Sequence, residues 1–352
     1  MIKKIIYTSR SRLEYSLNTV CVKGLRENGV GVIEFGLTGG GVFDFFRFLV
    51  FYLRNRKNTD AVIVGYDSPG LVIFLRFFCR KKIIYNAVLS VYERLIVSRG
   101  LASRFSIKAV YYWLLDFIAV HFADLIFVES NSQVDYFKKI FRISGKKISR
   151  SWIGVDEDKF FYDSSISKFP TFTVLFRGAL QPETGAEYLI QAAKLLENED
   201  IKFIMRCGGQ LLDKVKEAIH EYRPKNLDLG TDYIQSDGLR LLMQKCHLSI
   251  GQLSGHERLS RTIPHKTYET LAMHLPYLTA ANRGILELLK PDETCITCEP
   301  ANAKSLADKI LWAKNNPQEL GRIAKNGYEF YVSDLKSQII ARKLLDNIQL
   351  MD

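Results

Sequence analysis

The sequence predicts an α/β protein with two doubly wound, Rossmann-like domains that face each other across a cleft. Short apolar runs typical of strands alternate with amphipathic runs typical of helices along the whole chain. The alternation stops at a polar, Ser-rich segment at residues 158–170 and then restarts. Alternation of this kind predicts parallel sheets built from βαβ units, and 352 residues suit two domains. We therefore expect a first domain at residues 1–160 and a second at 161–332.

The first domain is predicted to begin with a strand and to contain five helices. Four apolar residues recur near one face of the second helix, and a Ser-Asn-Ser cluster at 130–132 supplies an N-cap for the fifth. The predicted strands are Lys4–Thr8, Gly31–Phe35, Ala61–Gly65, Lys82–Tyr85, Leu125–Glu129 and Lys147–Trp152. The predicted helices are Ser16–Asn28, Phe43–Arg56, Leu71–Cys79, Ser106–Phe122 and Gln133–Phe141.

The second domain repeats the pattern. Glycines follow its first two strands, and Pro264 precedes a short helix. The predicted strands are Thr171–Phe176, Lys202–Arg206, Leu227–Leu229, His247–Gly251 and Tyr277–Ala280. The predicted helices are Ala186–Leu196, Leu211–Tyr222, Leu239–Lys245, Lys266–Ala272, Ala303–Lys314, Pro317–Glu329 and Asp334–Gln349. Because ligands of such folds bind at the carboxyl ends of the strands, the pattern favours an enzyme with a nucleotide-like ligand.

Composition excludes several classes of protein. No run of about 18 apolar residues is present, which argues against a spanning helix. The first seven residues are too short for a signal-peptide core and indicate a strand. Six scattered cysteines in apolar surroundings indicate buried, reduced thiols in a cytoplasmic protein. The lone Cys295-Ile-Thr-Cys298 motif has no second pair, so a structural role is favoured over a zinc or redox site.

Two glycine-containing segments follow strands of the second domain. One runs from Arg177 and Gly178 to Gly185, and the other contains Gly208 and Gly209. Glycines allow a ligand to approach the backbone closely, and the following helix N-terminus attracts anions. The alternative is a plain strand-to-helix turn, and the sequence leaves both interpretations open.

The segment from Arg261 to Met273 combines cations with a carboxylate. Lys266 and Glu269 lie one turn apart on a predicted helix, and Arg261 precedes it. Lys266 near the helix N-terminus suits a phosphate, Glu269 can accept two hydrogen bonds from a ribose diol, and Arg261 can bind a diphosphate bidentately. The alternative is a surface Lys–Glu pair of little energetic value.

Together these segments resemble the retaining GT-B glycosyltransferases of the group 1, or family 4, type. Residues 152–160, WIGVDEDKF, are similar to the hinge element of the family, and residues 263–273, IPHKTYETLAM, to its I-P-N-K-x-Y-E-x-L-A element. Residues 123–130 look like the last strand of the first domain, and 305–310 like a late x-L-A-x-x-I element. The resemblance covers nearly the whole chain and implies that the last helix, within 333–352, packs back on the first domain.

The resemblance implies a nucleotide-sugar donor in the second domain and an acceptor in the first. Transfer would retain the anomeric configuration without a metal or another cofactor, since cationic side chains can stabilise the leaving diphosphate. The implied donor-binding residues are Arg177, Gly178, Gly209, Arg261, Lys266 and Glu269.

The chain also departs from the family pattern. Arg261 stands where the first of two paired glutamates is expected, so Glu257 is the candidate replacement, and we assign Glu257 and Arg261 as catalytic. His265 replaces a common Asn, and Arg177 is displaced by two residues and can point into the sheet instead. On the acceptor side, the loop after the fourth strand resembles a strand-Asp-x-x-x-Ser-x-Tyr loop, which assigns Asn86 and Ser90 there.

The net charge of +11 lies entirely in residues 1–160, and residues 54–108 alone hold eleven basic and three acidic side chains. Such a surface can attract an anionic membrane, and aromatic side chains of residues 42–52 can enter its interface. That would place the protein at the inner face of the cell membrane with a lipid-linked acceptor. A merely solvated basic surface is the alternative, and no nucleic-acid motif is present.

The leading hypothesis is therefore a glycosyltransferase that moves a sugar to a lipid-linked or saccharide acceptor in surface polysaccharide or glycolipid synthesis. Two alternatives are a sugar-nucleotide epimerase of the same fold and a non-catalytic partner subunit of a transferase. The missing first glutamate motivates the second alternative.

Overall fold

The computed structural model describes residues 2–37 and 41–350 of the chain. The chain divides into two compact units, Met1–Asp156 with Asp334–Asp352, and Glu157–Ser333. Each unit contains one parallel six-stranded sheet flanked by helices, which confirms the predicted fold class of two doubly wound α/β domains. No helix among the described residues is both long and apolar enough to cross a membrane.

The sheet of the first unit has the strand order β2-β1-β3-β4-β5-β6. Its strands are β1 (Lys4–Ser9), β2 (Gly31–Gly36), β3 (Ala61–Val64), β4 (Lys82–Val88), β5 (Leu125–Val128) and β6 (Ile148–Arg150). Its helices are α1 (Ser16–Glu27), α2 (Val42–Asn55), α3 (Pro69–Arg76), α4 (Ile107–Phe122), α5 (Asn131–Phe141) and, from the end of the chain, α13 (Ser337–Gln349). The N-cap predicted for α5 is present, because Ser130 Oγ accepts a hydrogen bond from Gln133 N at 2.9 Å.

Successive residues of β1 point to opposite faces of the sheet, so each face has its own core. Ile6 packs with Phe48 of α2 and residues of α3, α4 and α5. Ile5 packs on the other face with Leu25 of α1 and Leu344 of α13. The last helix of the chain is thereby part of the core of the first unit.

The sheet of the second unit has the strand order β12-β11-β10-β7-β8-β9. Its strands are β7 (Phe172–Ala179), β8 (Ile201–Gly208), β9 (Leu227–Gly230), β10 (Leu248–Ile250), β11 (Tyr277–Ala280) and β12 (Ile296–Cys298). Its helices are α6 (Ala186–Leu195), α7 (Leu212–Tyr222), α8 (Ser236–Lys245), α9 (His265–Ala272), α10 (Arg283–Leu286), α11 (Ala303–Asn315) and α12 (Pro317–Phe330).

Some predicted boundaries are wrong by a few residues. The strand predicted to end at Phe176 continues to Ala179, because β8 continues to pair with β7 up to Gly208. The helix predicted from Asp334 begins at Ser337, after a π-helical turn at Tyr331–Leu335. Backbone pairing rather than apolar side chains therefore decides where β7 ends.

All six cysteines are free and buried, as the sequence predicts. Burial raises the pKa of the Cys295 and Cys298 thiols to about 12, so both are protonated near neutral pH. The CxxC motif therefore consists of two buried, protonated thiols in and beside β12.

Candidate functional site

The candidate site lies at the carboxyl edge of the second sheet, at its topological switch point. From β7 the chain continues to β8 on one side, whereas β10 lies on the other side and leads to β11. Arg177 and Gly178 are among the last residues of β7, and α9, which follows β10, begins at His265. Connections that leave in opposite directions open a crevice at this point, where ligands of doubly wound folds bind.

A buried carboxylate, Glu269, is held by two partners. Its Oε2 forms an ion pair with Arg177, and its Oε1 lies 3.1 Å from Nδ1 of His265, one helical turn away. Burial alone would raise the pKa of this carboxyl, but the charges of Arg177 and His265 outweigh it and lower the pKa to about 2. Glu269 is therefore an ionised and oriented hydrogen-bond acceptor.

Arg177 is buried and directed toward α9 rather than toward solvent. Its Nη2 bonds Glu269, while its Nε has no hydrogen-bond partner among the described residues. The sequence left open whether Arg177 points into the sheet, and the structure makes it the partner of the carboxylate. The two residues are 92 positions apart, so spacing could not have indicated this pair.

Lys266 is a buried cation next to this pair. Its side chain is 9 % exposed, and Nζ lies 4.5 Å from the ring centroid of Phe176 with no hydrogen-bond partner among residues 2–37 and 41–350. Burial, reinforced by the charge of Arg177, lowers the pKa of Lys266 to about 7 against the opposing effect of Glu269. The alternative of a solvated surface Lys–Glu pair is wrong, since both residues are buried and Glu269 pairs with Arg177.

Two exposed glycines lie at the ends of β7 and β8, and one of them, Gly178, is close to Lys266. Gly178 and Gly209 have φ of +114° and +120°, a conformation that side-chain-bearing residues rarely adopt. Both are exposed at the ends of β7 and β8, and Leu180 N donates to Gly208 O at 2.7 Å. A Cβ at position 178 would lie 3.9 Å from Cε of Lys266, so the lysine stem passes close to the glycine backbone. A ligand can therefore approach the backbone next to the buried cation.

Glu257 and Arg261 belong to the segment that precedes α9. Glu257 begins a 3₁₀ turn, Glu257–Ser260, and is exposed. Arg261 caps the end of that turn, is partly buried, and donates from Nη1 to Ser260 Oγ at 3.4 Å. Both residues thus lie just before the helix that carries Lys266 and Glu269, and their catalytic roles stay predictions.

The sequence interpretation missed an ion pair that connects this turn to the loop after β7. Arg258 pairs with Glu183, and both side chains are largely buried. Ser254 Oγ also donates to the backbone oxygen of Glu183 at 2.8 Å. No spacing rule could have found a pair 75 residues apart, although its effect is to hold the turn against the loop.

The acceptor-side residues lie in the first unit. Asn86 is inside β4, so the prediction that residues 86–90 form a loop is wrong for 86–88. The strand ends at Val88, where φ is +63°. Ser90 is buried, and its Oγ accepts a hydrogen bond at 2.8 Å from Glu93 N, the first residue of a π-helical turn at Glu93–Ser98. This hydroxyl has a structural partner, and the acceptor role of both residues stays a prediction.

Metal ligands are not clustered at the site. Within the part of the chain that the structure describes, no three His, Cys, Asp or Glu side chains come together in a geometry that could hold an ion.

Comparison with known proteins agrees with this architecture. Residues 162–330 match the family model described as glycosyl transferases group 1, and the match lies within the second unit. No curated protein matches the sequence significantly. Several hundred solved chains match the structure.

Three solved structures are similar over almost the whole length of both chains. HepE of Anabaena, in complex with UDP and glucose, has 14 % identity and a TM-score of 0.73, and covers 99 % of this chain and 100 % of its own. Sucrose-phosphate synthase of Thermosynechococcus elongatus has 13 % identity, covers 99 % of each chain and has a TM-score of 0.76. A glycosyltransferase of Rickettsia africae has 15 % identity and a TM-score of 0.70. The similarity covers 99 % of this chain and 98 % of the Rickettsia chain. At these identities the likeness shows the GT-B fold.

Proposed function

We propose that this chain is a glycosyltransferase that moves a sugar from a nucleotide-diphosphate sugar to a lipid-linked or saccharide acceptor. The observation that carries the proposal is Glu269, an ionised buried carboxylate fixed by Arg177, beside Lys266, a buried cation that has no hydrogen-bond partner in the part of the chain that the structure describes. This pair of charges suits a ligand that combines an anion with vicinal hydroxyls. The family match at 162–330 and the similarity to HepE structures with UDP and UDP-glucose support the same ligand class.

In this proposal Glu269 accepts hydrogen bonds from the ribose diol of the donor. An ionised carboxylate has about four lone-pair sites, and Arg177 and His265 occupy two, so acceptor capacity is left for two hydroxyls. Arg177 is a positioning residue, because it orients and ionises the carboxylate. Lys266 and Arg261 bind the diphosphate, and the exposed backbone at Gly178 and Gly209 lies against the phosphates or the sugar.

The chemistry we propose is transfer with retention. The bond between the anomeric carbon and the diphosphate breaks, the acceptor oxygen bonds to the anomeric carbon on the same face of the sugar, and the hydroxyl proton passes to the departing diphosphate. Lys266 and Arg261 stabilise the charge that develops on the leaving diphosphate, so the proposal needs no metal and no other cofactor. Glu257, on the exposed turn before α9, is the candidate side chain that folds over the donor sugar.

The acceptor belongs in this proposal to the first unit, near Asn86 and Ser90. The excess of basic residues in the first 160 positions favours an anionic acceptor region. A lipid phosphate at the inner face of the cell membrane would provide one, which places the protein in the cytoplasm as a peripheral membrane enzyme of surface polysaccharide or glycolipid synthesis.

Donor hydrolysis in the absence of acceptor tests the proposed function. A panel of UDP-, GDP- and dTDP-linked sugars is incubated with the protein, and the release of sugar and nucleotide is measured. We expect hydrolysis of donors that share one base, and a rate at least about tenfold lower for Lys266→Met, since a buried charged contact is lost. Lys325→Met is the matched control, because Lys325 is exposed on α12, where it pairs with Glu329, and α12 is a different helix from the one that carries Lys266.

Three outcomes would contradict the proposal. An epimerised sugar nucleotide as the product would identify an epimerase. Binding of a sugar nucleotide without any transfer, hydrolysis or epimerisation would favour a non-catalytic partner subunit. No binding or turnover of any sugar nucleotide would remove the transferase interpretation altogether.

A further inference from the structure

Helix α2 exposes an apolar stripe on the side that faces away from the sheet. Val42, Phe46, Val50 and Leu53 recur at helical spacing, and all four are exposed together with Phe43, which is 74 % exposed. The opposite side of the same helix is buried through Phe48 and Tyr52. Helix α2 therefore presents apolar side chains both to the core and to solvent, and exposed apolar patches of this kind mark interaction surfaces.

Helix α4 has a second exposed stripe. Ile107, Val110, Tyr111 and Leu114 follow the spacing i, i+3, i+4, i+7 and are all exposed, with Ile107 at 90 %. Phe105, directly before the helix, is 98 % exposed. We call the two stripes and Phe105 the apolar face. Side chains as exposed as these protrude from the surface and are available to insert into a partner.

Both stripes belong to one layer of helices on one face of the first sheet. The α3 helix lies between them: the rings of Phe45 and Phe74 are 4.9 Å apart, and those of Phe77 and Phe122 are 6.2 Å apart. Helices of a parallel sheet run opposite to the strands, so the N-termini of α2 and α4 lie at the carboxyl edge of the sheet. The apolar face therefore reaches the edge at which the proposed acceptor residue Asn86 lies.

The exposed charges of the two segments that carry the apolar face are basic, although one of them, Arg47, pairs with the buried carboxylate of Asp44 at 3.4 Å. Segments 41–55 and 99–122 contain Arg47, Arg54, Arg99, Arg104 and Lys108. Their only two carboxylates, Asp44 and Asp116, are 7 % and 2 % exposed. The side that faces solvent thus combines exposed aromatic and aliphatic groups with cations and without an exposed acid on these segments.

This combination distinguishes a lipid surface from a second copy of the chain. In a symmetric dimer the same patch would face itself, so its cations would meet a second basic patch without exposed acids from these segments to balance them. An anionic bilayer accepts apolar side chains at the acyl boundary and attracts each nearby cation by about 1 kcal/mol. The surface is therefore complementary to anionic lipid and not to itself.

We propose that the apolar face is a membrane-docking surface whose stripes on α2 and α4 insert into the interface of an anionic bilayer. The inference deepens the proposed membrane location and rests on that part of the proposed function, but not on sugar transfer. Its new element is insertion at a defined surface, in addition to electrostatic attraction by the basic half of the chain.

Flotation of the full chain with vesicles tests the inference. Vesicles of phosphatidylcholine with phosphatidylglycerol should bind the protein, and pure phosphatidylcholine should bind it much more weakly. The variants Phe43→Gln/Phe46→Gln and Phe105→Gln/Ile107→Gln should each lower the partition coefficient by at least about tenfold, because large apolar groups no longer leave water. The variant Arg47→Gln/Lys108→Gln should weaken binding and reduce its dependence on salt.

Matched controls come from exposed apolar side chains of the second unit. Leu195 and Tyr233 are 57 % and 90 % exposed, and Leu195→Gln/Tyr233→Gln should bind vesicles like the parent protein. A Phe105→Trp variant adds a direct readout: its fluorescence should shift to the blue and be quenched by brominated acyl chains when vesicles are added.

Several results would overturn the inference. These are absence of vesicle binding, binding that the apolar variants leave unchanged, and binding that does not fall with salt. A stable dimer that the same apolar variants dissociate, without vesicle binding, would assign the face to a second copy. Nucleotide titration of each variant separates this inference from the enzyme proposal. Vesicle binding can be absent while nucleotide binding persists, and nucleotide binding can be absent while vesicle binding persists.

Discussion

At the scale of single residues, burial changes what Lys266 can do. On a protein surface a lysine stays charged well above neutral pH, whereas here burial and Arg177 lower its pKa to about 7. An anion that enters the site would favour the protonated form and would raise this pKa again. Nucleotide binding should therefore be coupled to the protonation of one side chain.

This coupling predicts a pH dependence of nucleotide affinity. Above pH 7 the free protein loses the proton from Lys266 while the complex keeps it, so affinity should fall by up to about tenfold per pH unit. The terminal phosphate is already ionised in this range, since its second pKa is about 6, so it does not add to the slope. Isothermal titration across neutral to mildly alkaline pH measures the effect.

Lys266→Arg is the informative control for this prediction. A guanidinium stays protonated throughout the range, so the variant should bind with an affinity that does not fall with pH. A flat profile for the parent protein, or the same slope in both proteins, would show that Lys266 does not touch the nucleotide.

The sequence identified some site residues but not their partners. Lys266 and Glu269 could be found because they occur in one short segment on one helix. The pairs Arg177–Glu269 and Arg258–Glu183 could not, because they join positions 92 and 75 residues apart. Their formation depends on tertiary packing of β7 against α9 and of the turn against the loop, which local spacing does not encode.

At the scale of elements, a glycine decides whether the last helix can pack on the first unit. Gly24 lies in α1 where α13 crosses it, and a Cβ at this position would be 2.1 Å from Ser337 O and 2.7 Å from Ala341 Cβ. The carbonyl oxygen belongs to the backbone and cannot move aside as a flexible side chain can. Close approach of the two helices therefore requires glycine here.

Replacement of Gly24 by Ala should consequently displace α13 and destabilise the protein. Overpacking of this kind costs about 1–3 kcal/mol of the free energy of unfolding. Gly321→Ala is the matched control, because Gly321 lies inside α12 with nothing within 4 Å of an added Cβ. That change should stabilise the protein by about 0.5–1 kcal/mol, since glycine is unfavourable within a helix.

Denaturant unfolding curves of the two variants measure these changes. Equal stability of Gly24→Ala and the parent protein would contradict the close packing of α13 on α1.

The sequence predicted the existence of the elements better than their ends. The alternation of apolar and amphipathic runs gave the correct number of strands in the first sheet and the correct class of fold. It missed that β4 includes Asn86 and that β7 includes Arg177 and Gly178. These residues are polar or lack a side chain, so the apolar pattern does not indicate them. They belong to strands because neighbouring strands supply partners for their backbone hydrogen bonds.

At the scale of the whole molecule, each unit has a distinct chemical character. The first 160 residues carry the entire excess of positive charge, and the first unit carries the apolar face. The second unit contains a buried carboxylate and a buried cation at the switch point of its sheet. The sequence alone shows that the positive charge lies in the first half of the chain. Only the structure shows that Phe105 is exposed whereas Phe48 is buried. We therefore propose that the second unit binds the donor and that the first unit docks on the membrane.

The central claim is that Glu269 binds the ribose of a nucleotide donor, and calorimetric titration with matched nucleotides tests it most directly. The parent protein should bind UDP or GDP, whose ribose carries a vicinal diol, and should bind the 2′,3′-dideoxy analogue of that nucleotide at least about tenfold more weakly, which corresponds to about 1.4 kcal/mol. Glu269→Gln, checked for folding by circular dichroism, should no longer distinguish the nucleotide from its analogue. Equal affinity of the parent protein for both ligands, or no binding at millimolar concentration, would contradict the claim.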